Sequence, residues 1–238
     1  PLQFNALEVI EADVMNGKLR VLGTEAKATI LDVGANVAAW SLRAAAASPH
    51  ATIYSLEIVP STAATLRART AAVSRIKTFD LGLADHTGTL TVRFIPAAPA
   101  HTTFTECPHP WEGERIEAQV MRGDEFLARE GIQSVDMLKL DVEGAEHLVL
   151  RGLRLALSER RIRFVQFEYG RVNVLTRFLL KDFYEMFEGH GYVVGKIYPD
   201  YVDFRDYDLD DEDFLGPNYL ACRRDEPLIE RLAPRHRL

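Results

Sequence analysis

The 238-residue sequence contains only two cysteines, Cys107 and Cys222, far apart in the chain. Two thiols cannot build a disulfide framework, and no CxxC-type metal-ligand spacing is present, so we expect a reducing compartment, the cytoplasm. No apolar run reaches the roughly 18 residues that a membrane helix requires. No basic segment precedes an apolar one after Pro1, so we expect neither a signal peptide nor a membrane partner.

An excess of basic residues is also missing. The chain has 28 Lys and Arg against 35 Asp and Glu, a formal net charge of −7. Proteins whose main partner is a nucleic-acid backbone usually carry a basic face that shows in this total, so we predict no nucleic-acid partner. The remaining composition, 47% hydrophobic and 26% charged, is that of a globular chain and excludes disordered and fibrous classes.

Short apolar strands alternate with longer helical stretches after residue 27. Strands are predicted over 28–33, 51–57, 75–81, 89–95, 135–141, 162–168, 192–198 and 218–222. A continuous apolar stripe predicts a helix over 145–157, and a second stripe predicts another over 175–187. This alternation predicts an α/β fold with a doubly wound, mostly parallel sheet. The last two strands are predicted to form an antiparallel pair because the return between them is too short for a helical crossover.

The domain is predicted to cover 27–238, preceded by a mixed or helical segment at 1–26. Its first strand ends in Asp-Val-Gly-Ala-Asn at 32–36, and ligands of open α/β sheets bind beyond such strand ends. A dinucleotide fingerprint requires GxGxxG, but Asn36 and Ala39 stand where the second and third glycines belong. Because the second glycine admits a pyrophosphate, its absence argues against NAD and FAD. A nucleoside ligand without phosphate, such as S-adenosylmethionine (SAM), does not need it.

Acidic residues close two further strands. Glu57 ends the second strand, where a carboxylate can accept hydrogen bonds from a ribose diol. The alternative is a charge that stabilises the start of the next helix. Asp141 ends the fourth core strand, and a carboxylate there helps to hold a sulfonium cofactor with an ammonium tail. Glu143 and Glu146 follow it and could instead complement the dipole of the helix.

Several segments together resemble the FkbM-type family of SAM-dependent methyltransferases. The resemblance covers about 28–157 and rests on 32–36, Ser41, Glu57 with Pro60, Gly82-Leu-Ala-Asp85 with Gly88, Lys139-Leu-Asp-Val-Glu-Gly-Ala-Glu146, and Val149-Leu150 with Gly152. It implies a class I methyltransferase fold, with a seven-stranded sheet whose last strand is antiparallel. One departure is Ala38, because the family usually has glycine at this position.

The resemblance also implies which residues bind SAM. It assigns the methionine part to Gly34, Ala35 and Asn36, the ribose to Glu57, and the adenine to Gly82, Leu83 and Ala84. The predicted cofactor set also contains Asp32, Ser41, Ile58 and Asp141.

The predicted reaction is O-methylation of a hydroxyl on a sugar, glycolipid or natural-product small molecule. An attacking hydroxyl must lose its proton, so a general base is needed. Asp141 is the first candidate by position, and His101 and His109 are further candidates from the long loop at 96–114. His147, four residues after Glu143, is predicted to form a surface pair with it.

Several alternatives stay open from the sequence. We predict a reaction without a metal ion, but Asp141, Glu143 and Glu168 could form an oxygen-ligand site. N-methylation of a peptide or amine, and a non-catalytic module that binds SAM, are the rival functions. The acidic loop at 200–213 is interpreted as a solvated, mobile flap rather than as a site for a cationic acceptor. The sequence does not decide whether the chain forms a homodimer.

Overall fold

The computed structural model describes residues 12–15, 19–24, 27–97, 102–103, 112–214 and 218–234. Its strands are β1 (Thr29–Val33), β2 (Thr52–Glu57), β3 (Ile76–Asp80), β4 (Gly82–Ala84), β5 (Gly88–Phe94), β6 (Glu114–Arg122), β7 (Val135–Leu140), β8 (Ile162–Glu168), β9 (Tyr192–Ile197), β10 (Val202–Phe204) and β11 (Asn218–Arg223). Its helices are α1 (Ala39–Ala47), α2 (Pro60–Thr70), α3 (Gly123–Arg129), α4 (Glu146–Gly152), α5 (Arg154–Ser158), α6 (Val172–Thr176), α7 (Leu180–Glu188) and α8 (Ile229–Leu232). None of these described helices is long and apolar enough to cross a membrane.

The main sheet has the order β10-β9-β11-β8-β7-β1-β2-β3. The neighbours β3, β2, β1, β7 and β8 pair in parallel, whereas β11 pairs antiparallel with both β8 and β9. The predicted α/β class, the mostly parallel sheet and the antiparallel last strand are confirmed. The predicted number of seven strands is wrong because β10, inside the acidic loop, pairs with β9 and adds an eighth.

A separate three-stranded sheet has the order β4-β6-β5. The strand predicted over 89–95 is confirmed as β5, but it pairs with β6 outside the main sheet. Sequence reasoning missed β6 and α3. This small sheet places Leu83 and Val92 beside the end of β2, and both line the cavity described below.

The helix predicted over 145–157 is broken at Leu153 into α4 and α5. The carboxylate of Asp124 accepts hydrogen bonds from the backbone N–H groups of Leu155 (2.9 Å) and Ala156 (3.0 Å). An acidic side chain at this position satisfies N–H groups that a helix start leaves unpaired. A residue about thirty positions away therefore starts α5, which the local apolar stripe could not show.

The strand β1 is buried on both faces, as expected for a central parallel strand. Leu31 and Val33 join one hydrophobic cluster, and Ile30 joins the cluster on the opposite face. Val14 and Met15, in the described part of the predicted N-terminal segment, are buried in the same cluster as Ile30. This packing brings Asp13 close to the ligand-binding edge of the sheet.

Candidate active site

The turn after β1 brings backbone close to the end of β7. Gly34 has φ +83°, and a Cβ atom there would lie 1.8 Å from the carbonyl oxygen of Asp141. The N–H groups of Gly34 and Ala35 both donate to the carbonyl of Leu56, at 3.0 and 2.9 Å. The turn is thus fastened across the end of β2, and only glycine fits its first position.

Ala38 also adopts the left-handed conformation, with φ +72°, immediately before α1. Glycine is favoured there because a Cβ atom makes this conformation costly. The alanine methyl group is fully buried in a small cluster with Leu66, so packing compensates part of that cost. The departure from the usual family glycine therefore leaves the turn intact.

Glu57 joins the turn after β1 to the segment after β2. Its carboxylate accepts the N–H groups of Asn36 and Val59, each at 2.9 Å. The residue is 7% exposed, and burial raises the pKa of its carboxyl. These hydrogen bonds hold the two loops together, and Glu57 also lines a cavity. Binding of a ribose by Glu57 stays a prediction.

A cavity of about 280 Å³ lies at the carboxyl ends of β1, β2, β7 and β8. Seven of the predicted cofactor residues line it: Gly34, Asn36, Glu57, Ile58, Gly82, Leu83 and Asp141. Its remaining wall includes Leu90 and Val92 from the small sheet, and Glu143 and Glu168 beside Asp141. Thr102 lines the cavity, and Thr103 donates to the backbone carbonyl of Glu143 at 2.9 Å, so the described part of the long loop lies against it.

The other predicted cofactor residues lie elsewhere. Ala35 lines an adjoining cavity. Ala84 is buried against α4, because a Cβ atom on Gly152 would lie 1.9 Å from its carbonyl oxygen. Asp32 and Ser41 are fully buried, and the Ser41 hydroxyl donates to the Asp32 carboxylate at 2.6 Å. These two residues are buried beneath the turn and line neither cavity.

Lys139 is the site residue that sequence reasoning quoted but left without a role. Its ammonium lies 3.4 Å from Asp32 and 3.0 Å from Asp141, and its side chain is 9% exposed. Burial opposes its charge, but Asp141 and Asp32 together raise the pKa of Lys139. The sequence did contain a signal for this role, namely a lysine inside an apolar strand two residues before an aspartate. Such a lysine is expected to be buried, and a buried cation requires a paired anion.

Three carboxylates face one another where β7 and β8 end. Oxygen atoms of Asp141, Glu143 and Glu168 lie within 4.8 Å of one another. Burial opposes ionisation of Asp141, but the charge of Lys139 and hydrogen bonds with Glu168 and Lys139 together outweigh it and lower the pKa of Asp141. Burial, followed by the charge of Asp141, raises the pKa of Glu143 to about 8 and holds that of Glu168 well above its usual range.

These effects favour an ionised Asp141 beside protonated forms of Glu143 and Glu168. Oxygen atoms at this spacing could also ligate a divalent cation, which would displace the two protons. The structure thus offers the same three residues for proton transfer and for the oxygen-ligand alternative.

We expect the raised carboxyl pKa values to make stability depend on pH. Glu143 titrates near its usual value of 4.5 when unfolded and at about 8 when folded. Between these values the folded state binds more protons, so its stability decreases as the pH rises from about 4.5 to 8. In Glu143→Gln this decrease becomes shallower, which urea denaturation at several pH values measures. An unchanged slope would contradict a protonated Glu143.

One prediction made from charge patterns is wrong, and a second is met only in part. His147 is buried rather than at the surface, and its ring stacks on Phe178 with centroids 4.8 Å apart. Burial lowers the pKa of His147. The acidic loop is anchored at two points, because Lys196 pairs with Asp213 at 2.9 Å and Arg205 pairs with Asp211, whereas Asp206, Asp208 and Asp210 are exposed to solvent as predicted. His101 and His109 lie outside the described residues.

The strand order, the turn at Gly34 and the cavity beside Glu57 define a class I methyltransferase fold. The crystal structure of the methyltransferase FkbM from Methylobacillus flagellatus KT supports this fold, with a TM-score of 0.52 at 18% identity over 85% of this chain and 46% of that one. Residues 32–194 match the Methyltransferase FkbM domain, and the chain belongs to this family.

Curated relatives show moderate similarity. The chain is 29% identical over 143 residues to Methyltransferase 1 of Beauveria bassiana, a match that covers 52% of this chain and 57% of that protein. It is 28% identical over 195 residues to the 31-O-demethyl-FK506 methyltransferase FkbM of Streptomyces tacrolimicus, covering 69% of this chain and 72% of that protein. The first match thus spans little more than half of the relative's length.

Proposed function

We propose that the protein transfers a methyl group from SAM to a hydroxyl of a small-molecule acceptor. The observation that carries this proposal is the cavity in which Gly34 and Glu57 meet the acid cluster at the ends of β7 and β8. The name of the Streptomyces tacrolimicus relative, which describes methylation at an oxygen, supports a hydroxyl as the acceptor. The acidic net charge favours a small molecule over a nucleic acid.

The residues present fit SAM. Gly34 lines the cavity, and its lack of a side chain lets the turn after β1 pack directly against the end of β7, beside Asp141. Glu57 offers carboxylate oxygens to a ribose diol, and Ile58 with Leu83 forms an apolar wall suited to an adenine ring. The carboxylates of Glu57 and Asp141 in this lining suit a ligand that carries no phosphate group.

Bound SAM would supply an electrophilic methyl group on its sulfonium. The chain itself would hold the acceptor oxygen in line with that group and exclude water, and such orientation can supply up to roughly 7–11 kcal/mol of the barrier. Asp141 is the member of the acid cluster whose pKa is lowered, and it is therefore the proposed acceptor of the hydroxyl proton. Burial and the charge of Asp141 favour the protonated forms of Glu143 and Glu168, which limits the negative charge in the cavity.

We expect Glu57→Gln to weaken binding of S-adenosylhomocysteine about 10- to 100-fold, because one charged hydrogen-bond acceptor for the ribose is lost. Calorimetric titration of the purified protein measures this affinity. Glu185→Gln is the matched control, since Glu185 is exposed on α7 and pairs only loosely with Lys181 at 3.5 Å. Equal affinities for Glu57→Gln and the wild type would contradict the proposed ribose site.

Transfer itself is tested with isotopically labelled SAM and a panel of hydroxyl and amine acceptors. Label on hydroxyl acceptors supports the proposal, and label on amines alone would favour N-methylation. Binding without turnover on the whole panel would favour the non-catalytic module. Repeating the assay with a chelator separates the metal-free reaction from one in which a cation occupies the acid cluster.

A further inference from the structure

The turn between β7 and α4 has an uncommon backbone conformation. Glu143, which lines the cavity beside Glu57, has φ +52°, and Gly144 after it has φ +97°. Glycine adopts this left-handed conformation freely, but a Cβ atom makes it unfavourable for other residues. A residue with a side chain keeps such a conformation only where the surrounding structure holds it, and strain of this kind is concentrated at functional sites. The contacts around Glu143 therefore compensate for a strained backbone.

Two helices hold the residues on either side of Glu143. The N–H of Val142 donates to the carboxylate of Glu146, at the start of α4, at 2.9 Å. A Cβ atom on Gly144 would lie 2.9 Å from a methyl carbon of Val172, so α6 packs closely against this glycine. These contacts place the turn at the carboxyl ends of β7 and β8, where the acid cluster lies.

Thr103 contacts Glu143 itself from a distant part of the chain. Its hydroxyl donates to the backbone carbonyl of Glu143 at 2.9 Å, and the residue is buried. Thr103 is in turn fastened to β5, because the N–H of Arg93 donates to its carbonyl at 2.7 Å and its own N–H donates to the carbonyl of Arg93 at 3.3 Å. The small sheet therefore fixes the position of this hydroxyl.

The orientation of the Glu143 carbonyl is coupled to the position of its carboxyl group. The torsion ψ, one of the two that define the left-handed conformation, sets the orientation of this carbonyl. A hydrogen bond at the carbonyl therefore restrains the backbone, and the backbone sets the direction of the Cβ atom. In the observed conformation, carboxyl oxygen atoms of Glu143, Asp141 and Glu168 lie within 4.8 Å of one another. Relaxation of the backbone to the right-handed region would redirect the Glu143 side chain.

We propose that Thr103 is a positioning residue, whose hydroxyl holds Glu143 in the left-handed conformation and thereby keeps its carboxyl group in the acid cluster. Thr102 lines the cavity, whereas Thr103 acts through Glu143. This inference rests on the proposed function and deepens it, because the acid cluster is the proposed site of proton transfer. It also assigns a function to the small sheet, which holds the acid cluster together through the long loop.

Three substitutions at Thr103 test this assignment. Thr103→Val removes the hydroxyl but keeps the shape of the side chain, Thr103→Ala removes both, and Thr103→Ser keeps the hydroxyl. In protein labelled with carbon-13 at the glutamate carboxyl groups, NMR at neutral pH reports the Glu143 signal, which Glu143→Gln identifies by its loss. We expect Thr103→Val and Thr103→Ala to shift this signal toward those of exposed glutamates, and Thr103→Ser to restore it. Thr91→Val is the matched control, because Thr91 is exposed on β5 and its hydroxyl donates to the side chain of Glu117.

Kinetics separate positioning from cofactor binding. With a hydroxyl acceptor that takes up label from SAM, we expect Thr103→Val to lower kcat about 10- to 100-fold, because a small displacement of a catalytic group has an effect of this size. The KM for SAM should stay within about twofold of the wild-type value, since Thr103 does not line the cavity. Thr103→Ser should recover most of kcat.

The outcomes distinguish this inference from the proposed function. An unchanged Glu143 signal in Thr103→Val and Thr103→Ala, or a shift that Thr103→Ser does not reverse, overturns the positioning role while the proposed function stands. A lower melting temperature without a shift of the signal likewise overturns it, because Thr103 then only stabilises the fold. If the wild type does not bind S-adenosylhomocysteine, the proposed function is overturned, whereas the NMR comparison still decides whether Thr103 holds Glu143.

Discussion

Gly34→Ala is expected to lower the free energy of unfolding by about 2–5 kcal/mol and to abolish measurable binding of S-adenosylhomocysteine. Two costs add. Alanine at φ +83° is strained by roughly 1–2 kcal/mol. Its Cβ atom would lie 1.8 Å from the Asp141 carbonyl oxygen, which is backbone of the neighbouring strand and cannot rotate away. Relieving such a contact by moving backbone typically costs 1–3 kcal/mol or more.

The chain offers a control that separates the two costs. Gly131 also has a left-handed φ, +68°, but a Cβ atom there meets nothing within 4 Å. Gly131→Ala should therefore show only the strain of roughly 1–2 kcal/mol and normal ligand binding. Urea denaturation of both variants measures the difference. Equal destabilisation by the two substitutions would refute the close approach between the turn and the end of β7.

Lys139→Met is expected to destabilise the protein by about 3–5 kcal/mol. The substitution keeps a long apolar side chain but removes the cation from Asp32, which is fully buried. Breaking a buried ion pair by removing one partner leaves an uncompensated charge, and this accounts for the size of the loss. Asp141 loses its nearest cation as well, so we also expect its pKa to rise and the turnover at neutral pH to fall.

The control for this prediction is Lys181→Met. Lys181 forms an exposed pair with Glu185, at 3.5 Å and with both side chains more than 60% exposed, so its loss should cost no more than about 0.5 kcal/mol. A loss of stability in Lys139→Met as small as that of the control would contradict a charged pair between Lys139 and Asp32.

Local patterns account for the parts of the fold that were predicted correctly. The alternation of apolar strands and helices depends on residues two to four positions apart, so it indicates the parallel sheet without any knowledge of contacts. The glycine at 34 and the acid at 57 mark strand ends in the same way, and the cavity indeed lies where they meet. The missed strand β6 carries charged residues at many positions and is stabilised by its pairing with β5.

The ionisation of the acid cluster shows what the sequence could not reveal. Asp141 was the predicted general base, and the strand end was correctly located, but its proton affinity depends on Lys139 beside it and on Glu168, which lies on another strand. His147 illustrates the same limit, because its partner Phe178 is thirty-one positions away. Desolvation and charge pairing are set by neighbours in space, which no local pattern specifies.

The amino-acid sequence by itself determined the alternation of strands and helices, the turn at 32–36 and the acid that closes the second strand, because each depends on backbone preferences and periodicity within a few residues. Tertiary structure alone decided where the helix after β7 breaks, that Asp13 pairs with Arg43, and that Lys139 pairs with Asp32. Those features join groups that lie about 30 to more than 100 positions apart in the sequence, through packing that only the complete fold produces.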